Sequence, residues 1–195
     1  MDFKAHLEKT WNLTLKHIAP LIVMTLVLAV ASFVTLGILL PVATAGYMHS
    51  ILRMIREGRE PHFKDIFSHM RLFLPLLLFG AAVFVVITLG FMLLVLPGLV
   101  ALIAVSYGCL YMLPLMTDKG LGLVDAVKES FRMSTGRNTI DHIAVWVLFM
   151  GFSLVGGSVF IGWLLTQPFA TVFLLSVYEE KVNPSAPSSG EAPEY

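Results

Sequence analysis

The residues able to do chemistry in this chain are its six histidines, its serines, and the few carboxylates that border apolar runs. A metal site needs Cys, His or carboxylate ligands at spacings that converge on one point. His6, His17, His49, His62, His69 and His142 offer no i, i+4 pair, and only His62 and His69 share a short segment, seven residues apart. No cysteine or carboxylate pair completes a ligand set, so these read as histidines of a membrane interface. Nucleophilic chemistry fares no better, because no Gly-x-Ser-x-Gly motif occurs. Gly151-Phe152-Ser153 and Gly156-Gly157-Ser158 are small-residue patches of the kind that let helices approach closely. Paired carboxylates are absent from the apolar runs, and Glu179-Glu180 stands beside a polar C-terminal stretch where solvation is expected. The expectation is a non-enzymatic protein with no cofactor and no metal.

The elements that would position any such group are set by composition. Apolar residues make up 57% of the 195, charged residues 13%, and mean hydropathy is +0.83. Soluble domains carry about 25% charged residues, so the solvent implied here is a bilayer. Net charge is zero, which leaves no footprint for nucleic acid. The single cysteine, Cys109, lies in an apolar run, excludes an intrachain disulfide, and reads as a small buried residue. Ala43-Thr44-Ala45 resembles a signal-peptide cleavage site. The apolar run before it, Ile18 to Leu40, is 23 residues, against the usual ~7–15 of a secretory leader, so it reads as a retained membrane helix.

Leu72 to Leu96 is 25 residues without a charge, and Gly98 to Thr117 is another 20. At ~1.5 Å per residue each can cross a ~30 Å hydrocarbon core as a helix, with Pro97-Gly98 as the turn between them. Ile18 to Ile55 holds one charge, Arg53, and a turn is expected near Ser32 to Gly37, with Pro41 in the first turns of the returning helix. Ile143 to Tyr178 is uncharged, with Gly156-Gly157 as the turn and Pro168 kinking or starting the last helix. The fold class expected is all-α, a polytopic transmembrane bundle of about six helices. Its three hairpins cover about 18–56, 72–117 and 140–178 of a single membrane domain, 1–181. An interfacial helix over 2–16, capped by Asp2, would present Phe3, Leu7 and Trp11. Surface helices are expected over about 62–70, with Phe63, Ile66, Phe67 and Met70 on one face, and over about 122–135. Residues 182–195, with Pro184, Pro187 and Pro193, should form a disordered cytoplasmic tail.

Charge gives the orientation. All 13 Lys and Arg residues lie outside the apolar spans, on the side of the chain termini and of the two amphipathic segments, and the opposite turns carry none. The positive-inside rule puts both termini in the cytoplasm. Arg53, Arg56, Arg59, Lys64, Arg71, Lys128, Arg132 and Arg137 then form a cytoplasmic belt that could contact anionic lipid headgroups, each attracted by about 1 kcal/mol near the surface. Glu57, Glu60, Asp65, Asp125 and Glu129 offset part of that field. A transporter is the alternative, since Pro- and Gly-interrupted helices occur in carriers. It would need an enclosed polar cavity reaching Thr44, Ser106 or Gln167.

Leu96-Pro97-Gly98, Tyr107, Asp118, Gly120, and Asp125-Ala126 through Ser130 to Gly136, with the final Pro168 and Tyr178, carry a family likeness. The chain resembles a broad group of uncharacterised bacterial polytopic inner-membrane proteins, and is similar to the membrane domain of some glycerophosphodiester phosphodiesterases. That resemblance implies six helices in the cytoplasmic membrane of a bacterium. The hydrolase domain has no counterpart here, so its activity does not carry over. The function expected is lipid-interacting or partner-binding in envelope organisation, with membrane lipids and a membrane protein or a second copy as partners.

Overall fold

The computed structural model describes residues 3–136, 139–157 and 160–183, and all regular structure among them is helical. Helix α1 (Phe3–Lys16) meets α2 (Ile18–Val34) at an 84° bend around His17. A turn at 35–39 leads into α3 (Leu40–Glu57), with Pro41 in its first turn, where no intrahelical N–H bond is forfeited. The turn passes through two left-handed residues, Leu36 at φ 51° and Gly37 at φ 84°. Its backbone is closed on itself. The N–H of every residue from Thr35 to Leu40 finds an acceptor in the hairpin, the Leu39 N–H donating to the Thr35 hydroxyl.

Gly58, at φ 65°, ends α3 in a left-handed cap. Where a surface helix is expected over about 62–70, the chain instead makes two short 3₁₀ turns, Phe63–Phe67 and Met70–Leu72. Ile66 alone of the expected apolar face is buried, and Phe63, Phe67 and Met70 are exposed. Helices α4 (Phe73–Leu93) and α5 (Val95–Gly108) pack along each other. The chain turns at Leu94, in extended conformation, three residues before the turn expected at Pro97-Gly98. Pro97 occupies the first turn of α5, and Gly98 is a contact point. A Cβ on Gly90 would fall 2.8 Å from the Gly98 Cα.

A break at Cys109–Tyr111 separates α5 from α6 (Met112–Asp118), and α7 (Leu123–Thr135) follows. The last two helices are α8 (Thr139–Gly157) and α9 (Phe160–Val182), the latter carrying Pro168 in its interior. Gly156 and Gly157, where a turn is expected, are the last residues of α8, and 158–159 lie outside the described residues. The tail expected over 182–195 lies, from Pro184 on, outside the described residues.

Burial is uneven. From Ala170 to Tyr178 α9 is enclosed, touching α1, α2, α3 and α8, and Tyr47, Leu52, Leu115, Phe173 and Tyr178 form the centre of the core. In α4 only Leu76 is buried, while Phe84, Met92 and Leu93 stand in the open. Two stretches, Phe63–Leu93 and Val95–Asp118, are long and apolar enough to cross a membrane, and the bent α1–α2 pair adds a third if it counts as one span.

Candidate functional site

Three helix ends meet at the charged side of the bundle. Arg56, in the last turn of α3, lies between Asp118 at the end of α6 and Glu179 in the last turns of α9. Its guanidinium grips Asp118 through two nitrogens, Nη2 to Oδ2 at 2.9 Å and Nη1 to Oδ1, and its Nε donates to Glu179 Oε2 at 2.6 Å. The Tyr178 hydroxyl donates to Asp118 Oδ2 at 3.1 Å. With side-chain exposures of 28%, 12% and 13% for Arg56, Asp118 and Glu179, this is a partly desolvated clasp. Bidentate geometry makes such pairs stronger than exposed ones. The expectation that Glu179-Glu180 is solvated is corrected for Glu179 alone, since Glu180 stays half exposed. Glu179 belongs to the clasp, and Glu180 pairs with Nε2 of His6 on α1.

Aromatic contacts extend the clasp inward. Tyr111 stacks on Tyr178 with ring centres 6.2 Å apart, and His142 meets the edge of Tyr111 at 5.6 Å. Lys181 Nζ donates to His142 Nε2. An ammonium can only donate, so the imidazole proton sits on Nδ1, which is buried without a partner. Burial pulls the Lys181 ammonium below the usual lysine pKa. On the other side of α3, His49 and His69 meet edge to face, 4.5 Å between centres.

The two charged elbows are docked by different atoms. The 3₁₀ segment lies against Gly46, where a Cβ would stand 2.2 Å from the Ile66 carbonyl oxygen, and Ser50 one turn on donates to Asp65 Oδ2 at 2.9 Å. Helix α7 is docked by Ala126, Ser130 and Ser134, a stripe at four-residue spacing and fully buried. The Ser130 hydroxyl donates to the Gly108 carbonyl at 2.6 Å and accepts the Tyr111 N–H at 3.1 Å, so it bridges the break between α5 and α6. Ser134 donates to the Tyr107 carbonyl, and the Tyr107 hydroxyl donates back to the Ser134 carbonyl. The Ala and Ser of the family-like motif are thus docking residues.

The basic belt divides accordingly. Arg56 is committed to the clasp, Arg59 to Asp65 at 3.3 Å, and Arg53 to Glu57 one turn away. Lys64, Arg71, Lys128 and Arg132 are exposed, Arg132 with Glu129 at 2.8 Å beside it. Arg137 lies outside the described residues. No group of three or more metal-ligating side chains occurs among the described residues. The clasp and the His49–His69 contact escaped the sequence reading. Their signal was present in Arg56, Asp118 and Glu179, each a charge at the border of an apolar run.

A groove of about 790 Å³ opens between α1, α8 and α9. Leu7, Trp11, Leu15 and Ile18 form one wall, and Phe152, Leu165 and Phe169 the other. Phe169 meets Trp11 at 6.2 Å and Phe152 at 5.0 Å, both edge to face. The sequence had marked Leu7 and Trp11 as one apolar face, and the structure turns that face outward. The inner face of α1 carries the buried Thr10 and Thr14, with His6 partly covered and Leu13 packed on the core, and His17 is buried at the bend that follows.

No family model matches this chain, and no curated protein or solved structure is similar to it. The expected likeness to the bacterial inner-membrane group has no counterpart in these comparisons.

Proposed function

We propose that this chain is a non-enzymatic, lipid-interacting protein of a bacterial cytoplasmic membrane, with six spans in three hairpins and both termini in the cytoplasm. The observation that carries the reading is the way α7 is docked. Its small residues Ala126, Ser130 and Ser134 face the bundle, so Val124 and Phe131 stay exposed beside Lys128 and Arg132. Leu123, Val127 and Met133 flank that stripe and pack partly buried on the core. An exposed apolar pair beside two exposed cations suits a helix lying in an interface, with apolar side chains in the acyl boundary and cations among headgroups. The exposed apolar surfaces of α4 and α5 support a hydrocarbon environment in the same way. Partner binding in envelope organisation is part of the same proposal, with α7 as the surface offered.

Transport finds less support. The Ser106 hydroxyl is turned back to the Ile103 carbonyl, and the groove between α1, α8 and α9 is apolar and lined by neither Thr44 nor Gln167. The test is flotation of the purified protein with liposomes of graded phosphatidylglycerol content, wild type against Lys128→Ala/Arg132→Ala. We expect the dependence on anionic lipid to flatten in the double variant. An unchanged dependence overturns the headgroup role.

A further inference from the structure

We infer that α7 is a latch on the helix that α5 and α6 would otherwise form together. Docked, its serines hold that helix broken at 109–111. Released, they let the break close, and the α4–α5 hairpin swings against the rest of the bundle.

In an unbroken α-helix each N–H donates to the carbonyl four residues back, so Tyr111 would donate to Tyr107 and Met112 to Gly108. Neither bond is made. The Tyr111 N–H donates to the Ser130 hydroxyl at 3.1 Å, and the Met112 N–H turns to the Cys109 carbonyl. Helix α7 takes both vacated carbonyls. Ser130 donates to Gly108 at 2.6 Å and Ser134 to Tyr107 at 3.2 Å. A side chain inserted into the helical ladder is one of the few causes of a sharp kink. Pro114 does not account for this one. A proline forfeits and crowds the carbonyl four residues back, here Leu110, which lies beyond Tyr107 and Gly108. Helix α9 carries Pro168 in its interior and runs unbroken from Phe160 to Val182.

Hydrogen bonds balance on the two sides of the change. With α7 gone, Tyr107 and Gly108 can take back the N–H groups of Tyr111 and Met112. The freed serines can donate to carbonyls of their own helix, as Thr135 does to Phe131 at 2.8 Å. None of these groups is orphaned in either state, so neither carries the desolvation penalty that would forbid it. The hairpin is the part free to move. Helix α6 buries Met112, Leu115 and Met116 and ends in the clasp at Asp118. In α4 the residues that reach the core, Phe73, Leu76 and Phe79, all lie in its first seven. Straightening a kink of ~20° at the foot of this 21-residue helix, about 31 Å long, carries the tip roughly 10 Å.

The signal suited to the latch is the membrane surface, and for that signal the inference rests on the lipid-interacting reading. A ligand shifts an equilibrium only through differential affinity for its states. Docked, α7 offers Val124 and Phe131 to the acyl boundary. Released, it adds Leu123, Val127 and Met133, with Lys128 and Arg132 on its exposed side as before. A bilayer rich in anionic lipid therefore favours release.

The test uses the whole protein in phosphatidylethanolamine–phosphatidylglycerol nanodiscs. Ser130→Ala alone leaves the Ser134 bonds in place, so the Tyr111 amide loses its acceptor and should exchange about tenfold faster. Adding Ser134→Ala frees the Tyr107 carbonyl, and Tyr111 exchange should return to the wild-type rate. A merely structural role makes the double variant faster still, and that result overturns the latch. Exchange at Phe173, in the centre of the core, is the control for folding. The swing is read between spin labels on Phe33→Cys and Met92→Cys, both exposed positions, in a Cys109→Ala background. The double variant should displace their distance distribution by up to about 10 Å, and an undisplaced distribution overturns the swing. More phosphatidylglycerol should move the wild type toward the double variant, and Lys128→Ala/Arg132→Ala should block that move. If flotation keeps its anionic dependence while the wild-type distances ignore lipid, the membrane is overturned as the signal. If flotation shows no such dependence, the lipid-interacting reading fails, and Tyr111 exchange still decides the latch.

Discussion

The two charged elbows, 58–72 and 119–136, share a sequence design and do not share a structure. Each has an Asp near its start, an aromatic or Met beside an Arg near its end, and an apolar run to follow. The first became two 3₁₀ turns pressed against α3, the second a 13-residue α-helix lying over a helix break. Each dock pairs a glycine, where something approaches closely, with a serine that bridges. In the first, backbone approaches Gly46, and Ser50 on α3 reaches out to Asp65. In the second, the Phe131 ring approaches Gly108, and Ser130 on the elbow reaches in to the helix break. Backbone cannot step aside and a half-exposed ring can, so the first dock is rigid and the second adjustable.

Gly46→Ala should break that comparison most severely. Its Cβ would overlap the Ile66 and Asp65 carbonyl oxygens, at 2.2 and 2.5 Å, and we expect a loss of about 3 kcal/mol as overpacking against backbone. A lowered urea midpoint in mild detergent would report it, and an unchanged midpoint would show the first dock to be as yielding as the second. Next comes Ser130→Ala, which leaves the Gly108 carbonyl and the Tyr111 N–H buried without this partner. A loss of about 2 kcal/mol is expected, read by the same denaturation and by faster hydrogen exchange at Tyr111. Gly108→Ala meets only the Phe131 ring, at 2.7 Å, so about 1 kcal/mol should suffice as the ring swings outward. A penalty matching Gly46→Ala would erase the distinction. Smallest of all, Lys128→Ala/Arg132→Ala should move the midpoint by under about 0.5 kcal/mol, as exposed charges do, while altering only the lipid dependence.

Much of the helical layout was legible because hydropathy and punctuation act locally. The turn near Ser32–Gly37 and the place of Pro41 follow from where a chain can reverse. The helical character of 122–135 follows from a period that α7 keeps. The same reasoning misplaced the turn at Pro97-Gly98, because proline is as comfortable in a helix's first turn as in a loop. It expected a surface helix around 62–70, where contact with Gly46 and Ser50 holds the backbone in 3₁₀ form. The apolar stripe of Leu7 and Trp11 on α1 was legible, but the inner face was invisible, since nothing local says that Thr10 and Thr14 will lie against α9. Arg56, Asp118 and Glu179 are separated by 62 and 61 positions along the chain. Their meeting depends on how three helix ends are gathered, a property of packing that no window of sequence contains.

The turn at 35–39 has a consequence for depth. With the N–H groups of Thr35 through Leu40 all bonded within the hairpin, the donors of the tip ask nothing of water. Transferring a backbone amide with no partner into hydrocarbon costs several kcal/mol, and that toll ordinarily drives a connecting loop out to the aqueous phase. Here it is waived for six consecutive donors. Leu36, 90% exposed at the apex, and its neighbours Phe33 and Val34 add apolar surface with no charge to hydrate. Helix α2, with 17 residues, is about 25 Å long, short of the ~30 Å hydrocarbon thickness. For a loop with solvent-seeking donors that shortfall would be a mismatch demanding tilt or a thinned bilayer. For this one, the bonded donors would lower the cost of ending below the far surface.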